Sequence, residues 1–131
     1  MLTPECLGEL RSAWLPNMTD TGLERLMALL GKGSPLLIHG CFTRTVPMGC
    51  LASHLAWNHP RTAHLTLDAG ITWLHQVAHL NPATSVVLRE WDRRGTKDLE
   101  LRADLLAVMH EERQHRQSKK AERRTAVPVE V

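Results

Sequence analysis

Apolar residues recur three or four positions apart along much of the chain, which is the spacing of one face of an α-helix. The pattern is clearest in the segment that begins at Thr21. Thr21 and Glu24 have the spacing of a capping box, and Gly31 is placed to end the helix. The predicted buried face of this helix consists of Leu23, Leu26, Met27 and Leu30.

Capping residues and prolines predict further helices on both sides of this segment. Thr3, Pro4 and Glu5 are typical of a helix start, and Pro16 ends that first helix. The later helices are predicted over residues 45–57, 66–81 and 81–95, and from residue 96 onward, with Thr45, Thr66, Asn81 and Thr96 at their starts. Glycine and proline interrupt residues 31–46, which are predicted to be irregular.

The same spacing predicts which side chains form the core. The predicted buried face of helix 66–81 consists of Leu67, Ile71, Leu74 and Ala78, and that of the last helix consists of Leu99, Ala103, Leu106 and Met109. We expect the core to include Trp14, Leu26, Leu55, Trp73, Leu74 and Leu106.

No segment shows the alternation of apolar and polar residues that a half-buried strand requires. The sequence therefore predicts an all-α fold, a single compact domain of five or six short helices with a basic helical C-terminal tail. We place the globular helical domain at residues 1–112. Residues 113–131 form the basic helix extension and a frayed end that starts beyond Thr125.

Composition supports a folded protein of one domain, since the 131 residues are 43% apolar and 23% charged. No run of about 18 apolar residues is present, so we expect no membrane contact. Glu5 and Glu9 lie where a secretory signal would have basic and apolar residues. These features favour a cytoplasmic location.

Positive charge is concentrated near the C-terminus, although the net charge is only +2. Residues 1–112 contain ten Lys and Arg against twelve Asp and Glu, whereas residues 113–124 contain six against one. The basic residues of this run are Arg113, Arg116, Lys119, Lys120, Arg123 and Arg124. Such a helix can bind the phosphates of a nucleic acid, or an acidic protein surface. It can also simply interact favourably with the helix dipole.

The segment from Ile71 to Gly95, ITWLHQVAHLNPATSVVLREWDRRG, resembles a helix-turn-helix DNA-binding unit. Val77 and Ala78 would lie in its first helix, and Trp91 in its second. The resemblance implies that Thr84, Ser85 and Arg89 face a DNA groove, with Arg93 and Arg94 reaching phosphates. The alternative is an ordinary core helix pair with its arginines in solvent.

Six of the eight histidines and two of the three cysteines lie between His39 and His79. Cys50 and His54 are four residues apart, as are His75 and His79, so each pair would share one helix face. If the two helices form a hairpin, these four side chains could bind zinc or iron. Alternatively, Cys50 is a small buried residue and the histidines are hydrogen-bonded or solvated.

No nucleophile motif accompanies these residues, so the sequence leans against an enzyme without deciding the question. The favoured hypothesis is a small cytoplasmic regulatory protein that contacts nucleic acid or an acidic partner through residues 82–94 and 113–124. One alternative is a metal-binding sensor or small metalloenzyme that uses residues 39–79. Another is a protein-interaction subunit of a larger complex.

Overall fold

A computed structural model, which describes residues 1–126, confirms the all-α fold. The helices are α1 (Pro4–Glu9), α2 (Asp20–Lys32), α3 (Leu51–Trp57), α4 (Ala69–Thr72), α5 (Val86–Arg94) and α6 (Leu99–Ala126). A π-helical turn, Leu10–Trp14, continues α1, and another, Trp73–Val77, continues α4. In residues 1–126 there is no strand, and extended pairing is limited to isolated bridges at Gly49. Apart from Ala126, the predicted frayed end lies outside the described residues.

Helix α2 has the predicted buried face, but both of its ends lie outside the predicted positions. Thr19, not Thr21, caps the helix, because its Oγ1 accepts a hydrogen bond from the Gly22 amide at 2.9 Å. The helix also passes Gly31 and ends at Gly33, whose φ of 61° is left-handed. All four predicted stripe residues of α2 are buried, namely Leu23, Leu26, Met27 and Leu30.

The later helices are shorter than the sequence pattern predicts. Helix α3 begins after Cys50 instead of at Thr45. The π-helical turn that continues α4 ends at Val77 instead of Asn81. Ser85, not Asn81, caps α5. Asp98, not Thr96, caps α6: its carboxylate accepts from the Leu101 amide at 2.9 Å. Ser85 and Asp98 thus supply side-chain caps for α5 and α6, whereas the start of α3 at Cys50 has no side-chain cap bond.

The core lies where α2 packs against α3 and α6, with α4 on α3 and α5 on α1. The rings of Trp14 and Trp73 meet there, with centroids 5.4 Å apart and planes tilted by 53°. Both tryptophans are buried, as predicted, and so are Leu26, Leu55 and Leu74. Within the described part of the chain, no helix is both long and apolar enough to cross a membrane.

The predicted apolar face of α6 is only partly correct. Met109 is buried as predicted, but Leu99 is 73% exposed, Ala103 is exposed and Leu106 is only partly buried. The buried residues of this helix are Leu101, Leu105, Val108 and Met109. The orientation is fixed by Arg102, whose guanidinium donates to the Leu30 carbonyl oxygen at the end of α2, at 3.0 and 2.8 Å.

The predicted face of α4 is also only partly correct. Leu74 and Ala78 are buried, but Leu67 and Ile71 are exposed. The fully buried Trp73 takes their place in the core. Both errors have one cause: several apolar residues of each helix could form the buried face, and the neighbouring helices select among them.

Residues 34–50 form a loop that is fastened to α3 and α5 by hydrogen bonds. The His54 ring Nε2 lies 2.8 Å from the Leu36 carbonyl oxygen. The Trp91 Nε1 donates to the Ile38 carbonyl oxygen at 2.8 Å, and the Asp92 carboxylate accepts from the Gly40 amide at 2.8 Å. These bonds hold an irregular segment in a defined position without regular secondary structure.

The start of α6 predicts a pH dependence of stability. Arg94 donates to both carboxylate oxygens of Asp98, at 3.0 and 3.1 Å. These two bonds are the largest cause of the lowered pKa of Asp98, which falls from 3.8 to about 2, and the hydrogen bond from the Leu101 amide is the next largest. A lowered carboxyl pKa stabilises the folded state above the unfolded pKa, and the stabilisation is lost as pH falls towards the folded pKa. We expect the melting temperature of Asp98→Asn to fall less steeply than that of wild type between about pH 4 and 2.

Thermal melts monitored by circular dichroism across this pH range would measure the effect. Glu5→Gln is a suitable control, because Glu5 is exposed and lies outside the Arg94 pair. Equal pH dependence in Asp98→Asn and wild type would contradict the role assigned to this ion pair.

Candidate functional site

The basic run at residues 113–124, called here the basic arm, forms the distal part of α6. Its first half is bound to the rest of the protein. The Arg116 side chain is only 19% exposed, and it donates to Glu112, to Asp20 and to the Leu15 carbonyl oxygen at 2.7, 2.9 and 2.8 Å. The predicted domain boundary at residue 112 therefore falls inside a continuous helix that still contacts the globular body.

Two further cations of the basic arm pair with acidic residues of α2. Lys120 lies 3.2 Å from Asp20, and Arg113 lies 3.2 Å from Glu24. The hydrogen bonds from Arg116 and then Lys120 lower the pKa of Asp20. Half of the predicted basic surface is thus partly neutralised by the protein itself.

The other three cations, Lys119, Arg123 and Arg124, are exposed and make no ion pair with the described residues. Every side chain from Gln117 to Arg124 is exposed, although Lys120 still reaches Asp20 of the body. Lys119 and Arg123 are one helical turn apart, as are Lys120 and Arg124. The four cations therefore form two adjacent rows along one side of the helix.

A groove runs between this side of α6 and the start of α2. Its volume is about 340 Å³ and its lining residues are Pro16, Met18, Asp20, Glu112, Arg116, Lys119, Lys120 and Arg123. Four cations and two carboxylates thus border one open space. An anionic group entering it would compete with Asp20 for Lys120.

The helix-turn-helix resemblance does not extend to the packing. Helix α4 packs on α3, and α5 packs on α1, so the two helices have separate main partners. Ser85 is buried, donates to the Glu9 carboxylate at 2.6 Å and accepts from the Leu88 amide at 3.3 Å. It is the N-cap of α5 and is not available to face a DNA groove.

The other four residues that the resemblance implies for DNA contact differ in exposure and in their ion pairs. Thr84 is exposed, and Arg89 is exposed without an ion pair to the described residues. Arg93 pairs with Glu90 at 2.8 Å. The Arg94 side chain is 12% exposed and is held by Asp98 and Glu90. The phosphate contact implied for Arg94 would therefore require breaking an internal ion pair.

The four candidate metal ligands do not converge. Cys50 and His54 are buried, whereas His75 and His79 are exposed. Across residues 1–126, no three His, Cys, Asp or Glu side chains are arranged to hold a metal ion. The hairpin site for zinc or iron predicted from the two spacings is therefore not formed in this structure.

The buried pair has structural contacts instead. The Cys50 Sγ lies 3.8 Å from the Ser53 Oγ, and burial raises the pKa of the Cys50 thiol. Burial also lowers the pKa of His54, which favours the neutral imidazole that donates to the Leu36 carbonyl oxygen. The rings of His54 and Trp57 form a T-shaped pair, with centroids 5.2 Å apart and planes at 89°.

Sequence reasoning missed the acidic residues that organise these surfaces. Glu9 binds the start of α5, and Asp20 binds Arg116 from 96 positions away along the chain. Ser85 immediately before Val86 was an available capping signal for α5. No local signal could have paired Asp20 with the basic arm.

Comparison of the chain with protein-family models, with curated proteins and with solved structures found no match.

Proposed function

We propose that this protein binds nucleic acid through the distal basic arm, using Lys119, Lys120, Arg123 and Arg124. The observation that supports the proposal most directly is the placement of these four cations on a helix segment whose side chains are all exposed. A phosphate backbone releases condensed counterions when such cations neutralise it, and this release drives binding without any base contact.

The ion pair between Lys120 and Asp20 is compatible with this role. Both side chains are largely exposed, at 61% and 60%. Exposed ion pairs contribute little to stability, so Lys120 can exchange Asp20 for a phosphate at low cost. Arg116 is held by three acceptors and serves to position the arm on the body.

The binding proposed here is independent of nucleotide sequence. Of the residues that a helix-turn-helix would use for base contacts, Ser85 is buried, which leaves Thr84 and Arg89 exposed. Two exposed side chains on or beside a helix that packs mainly on α1, and not on α4, are a weak basis for reading bases in a groove. Phosphate contacts by the basic arm need no such geometry.

The test compares two triple variants that remove the same charge. In Lys119→Gln/Arg123→Gln/Arg124→Gln, affinity for a short fluorescein-labelled DNA duplex should fall for all sequences alike. The slope of log affinity against log salt should decrease in magnitude by up to about 2.7, at about 0.9 per lost phosphate contact. In the control Lys32→Gln/Arg44→Gln/Lys97→Gln, which changes exposed residues of the body, the slope should remain near that of wild type.

Equal loss in the two variants would show that only net charge matters and would overturn the assignment to the basic arm. Fluorescence anisotropy with duplex DNA, single-stranded RNA and poly-glutamate separates the partner classes. Binding to poly-glutamate without binding to either nucleic acid would instead support the protein-interaction alternative.

A further inference from the structure

A small cavity lies between the loop 34–50 and α5, apart from the basic arm. Its volume is about 110 Å³, and the residues that line it are Gly40, Cys41, Phe42, Cys50, Leu88 and Asp92. Two of the three cysteines of the chain thus border one space that is too small for a large ligand. The third, Cys6, is buried in α1.

Backbone pairing brings the segments that carry Cys41 and Cys50 next to each other. The Cys50 amide donates to the Phe42 carbonyl oxygen at 2.8 Å, and Thr43 and Gly49 form an antiparallel bridge. This pairing places Phe42 opposite Cys50, so Cys41 is offset by one residue and its side chain starts from the opposite face of the pair. A disulfide therefore requires the Cys41 side chain to turn into the cavity that both residues border, with the two Cα atoms about 4.4–6.8 Å apart.

We propose that Cys41 and Cys50 are a redox-active pair that forms an intramolecular disulfide across this cavity when a low-molecular-weight disulfide such as oxidised glutathione is present. Cys41 is exposed and is the thiol that the oxidant reaches first. Cys50 is 2% exposed and is reached through the cavity by the modified Cys41.

The reaction proceeds by two thiol exchanges. The Cys41 thiolate attacks one sulfur of oxidised glutathione, breaks its S–S bond and releases one glutathione thiolate, which takes up a proton. The Cys50 thiol then loses its proton, and its sulfur attacks the Cys41 sulfur of the mixed disulfide. The second glutathione leaves as the thiol, so two protein thiols are oxidised and one glutathione disulfide is reduced.

The difference in burial sets the order of these steps. Burial raises the pKa of the Cys50 thiol and also shields it from a bulky oxidant. Intramolecular attack avoids the steric shielding, because Cys41 already carries the leaving group at the same cavity. Cys6, whose pKa burial raises to about 11, has no cysteine beside it in α1 and should remain a free thiol.

Oxidation would fix residues 41–50 as a closed loop at the start of α3. Eight residues separate the two cysteines, and the loop already contacts α5 through the bond from the Gly40 amide to Asp92. Closing this short loop restricts the unfolded chain, so the oxidised protein should have the higher melting temperature. Amide exchange in residues 40–50 should slow on oxidation.

Peptide mapping provides a direct test, because Arg44 lies between the two cysteines. The full-length folded protein is treated with oxidised glutathione, alkylated and digested with trypsin without reduction. Peptides 33–44 and 45–61, which are separate in the reduced protein, should be lost and replaced by one cross-linked species. The peptide that contains Cys6 should remain alkylated.

Two variants make the result interpretable. In Cys50→Ser, the glutathione adduct on Cys41 should accumulate instead of the cross-link, whereas Cys6→Ser should form the cross-link as wild type does. A stable glutathione adduct on Cys41 of the wild-type protein, or a cross-link that forms only in denaturant, would overturn the proposal.

Discussion

Replacing Leu105 by alanine should lower the free energy of unfolding by about 2–5 kcal/mol, the range for a fully buried leucine. Leu105 is 1% exposed and belongs to the hydrophobic core, and its helix α6 packs on α2. The same change at the adjacent Leu106 removes the same atoms from a partly buried site, and it should cost about 1 kcal/mol or less. Urea unfolding of the two variants would measure the difference.

This comparison decides between the two possible faces of α6. The sequence pattern places Leu106 in the core, whereas the structure places Leu101 and Leu105 there. Leu26→Ala, Leu55→Ala and Leu74→Ala serve as reference values, because all three residues are buried. A larger loss at Leu106 than at Leu105 would mean that α6 is rotated relative to the described structure.

Replacing Glu9 by alanine should lower the free energy of unfolding by about 2–4 kcal/mol, because several donors lose a charged acceptor at once. The Glu9 carboxylate accepts from the Val86 and Val87 amides at 2.9 and 3.1 Å, and from Ser85 at 2.6 Å. It also accepts from the Nε1 of the buried Trp14 at 2.9 Å. The start of α5 and a core tryptophan would both be left unsatisfied.

Glu9→Gln tests how much of this effect is the charge. The amide retains one acceptor oxygen, so the loss should be smaller than in Glu9→Ala. Glu5→Ala, on the exposed side of α1, should change stability by less than about 0.5 kcal/mol. Equal losses in Glu9→Ala and Glu5→Ala, measured by chemical unfolding, would show that Glu9 does not hold α1 to α5.

Local signals in the sequence were sufficient for the helical class and for part of the core. The stripe from Leu23 to Leu30 is buried as predicted, because four apolar residues at helical spacing leave α2 only one face to bury. The burial of Trp14 and Trp73 also follows from their size and helical positions. The concentration of cations in residues 113–124 is likewise a property of the sequence alone.

The ends and rotations of the other helices depended on contacts between distant residues. Arg102 orients α6 by bonding the Leu30 carbonyl, 72 positions away, and Glu9 completes the start of α5 from 77 positions away. The candidate metal site also depended on distant contacts. Helical spacing made Cys50 and His54 resemble metal ligands, but in the folded protein both side chains are buried in the core. Spacing places side chains on a face, whereas only the packing of the whole chain decides what that face meets.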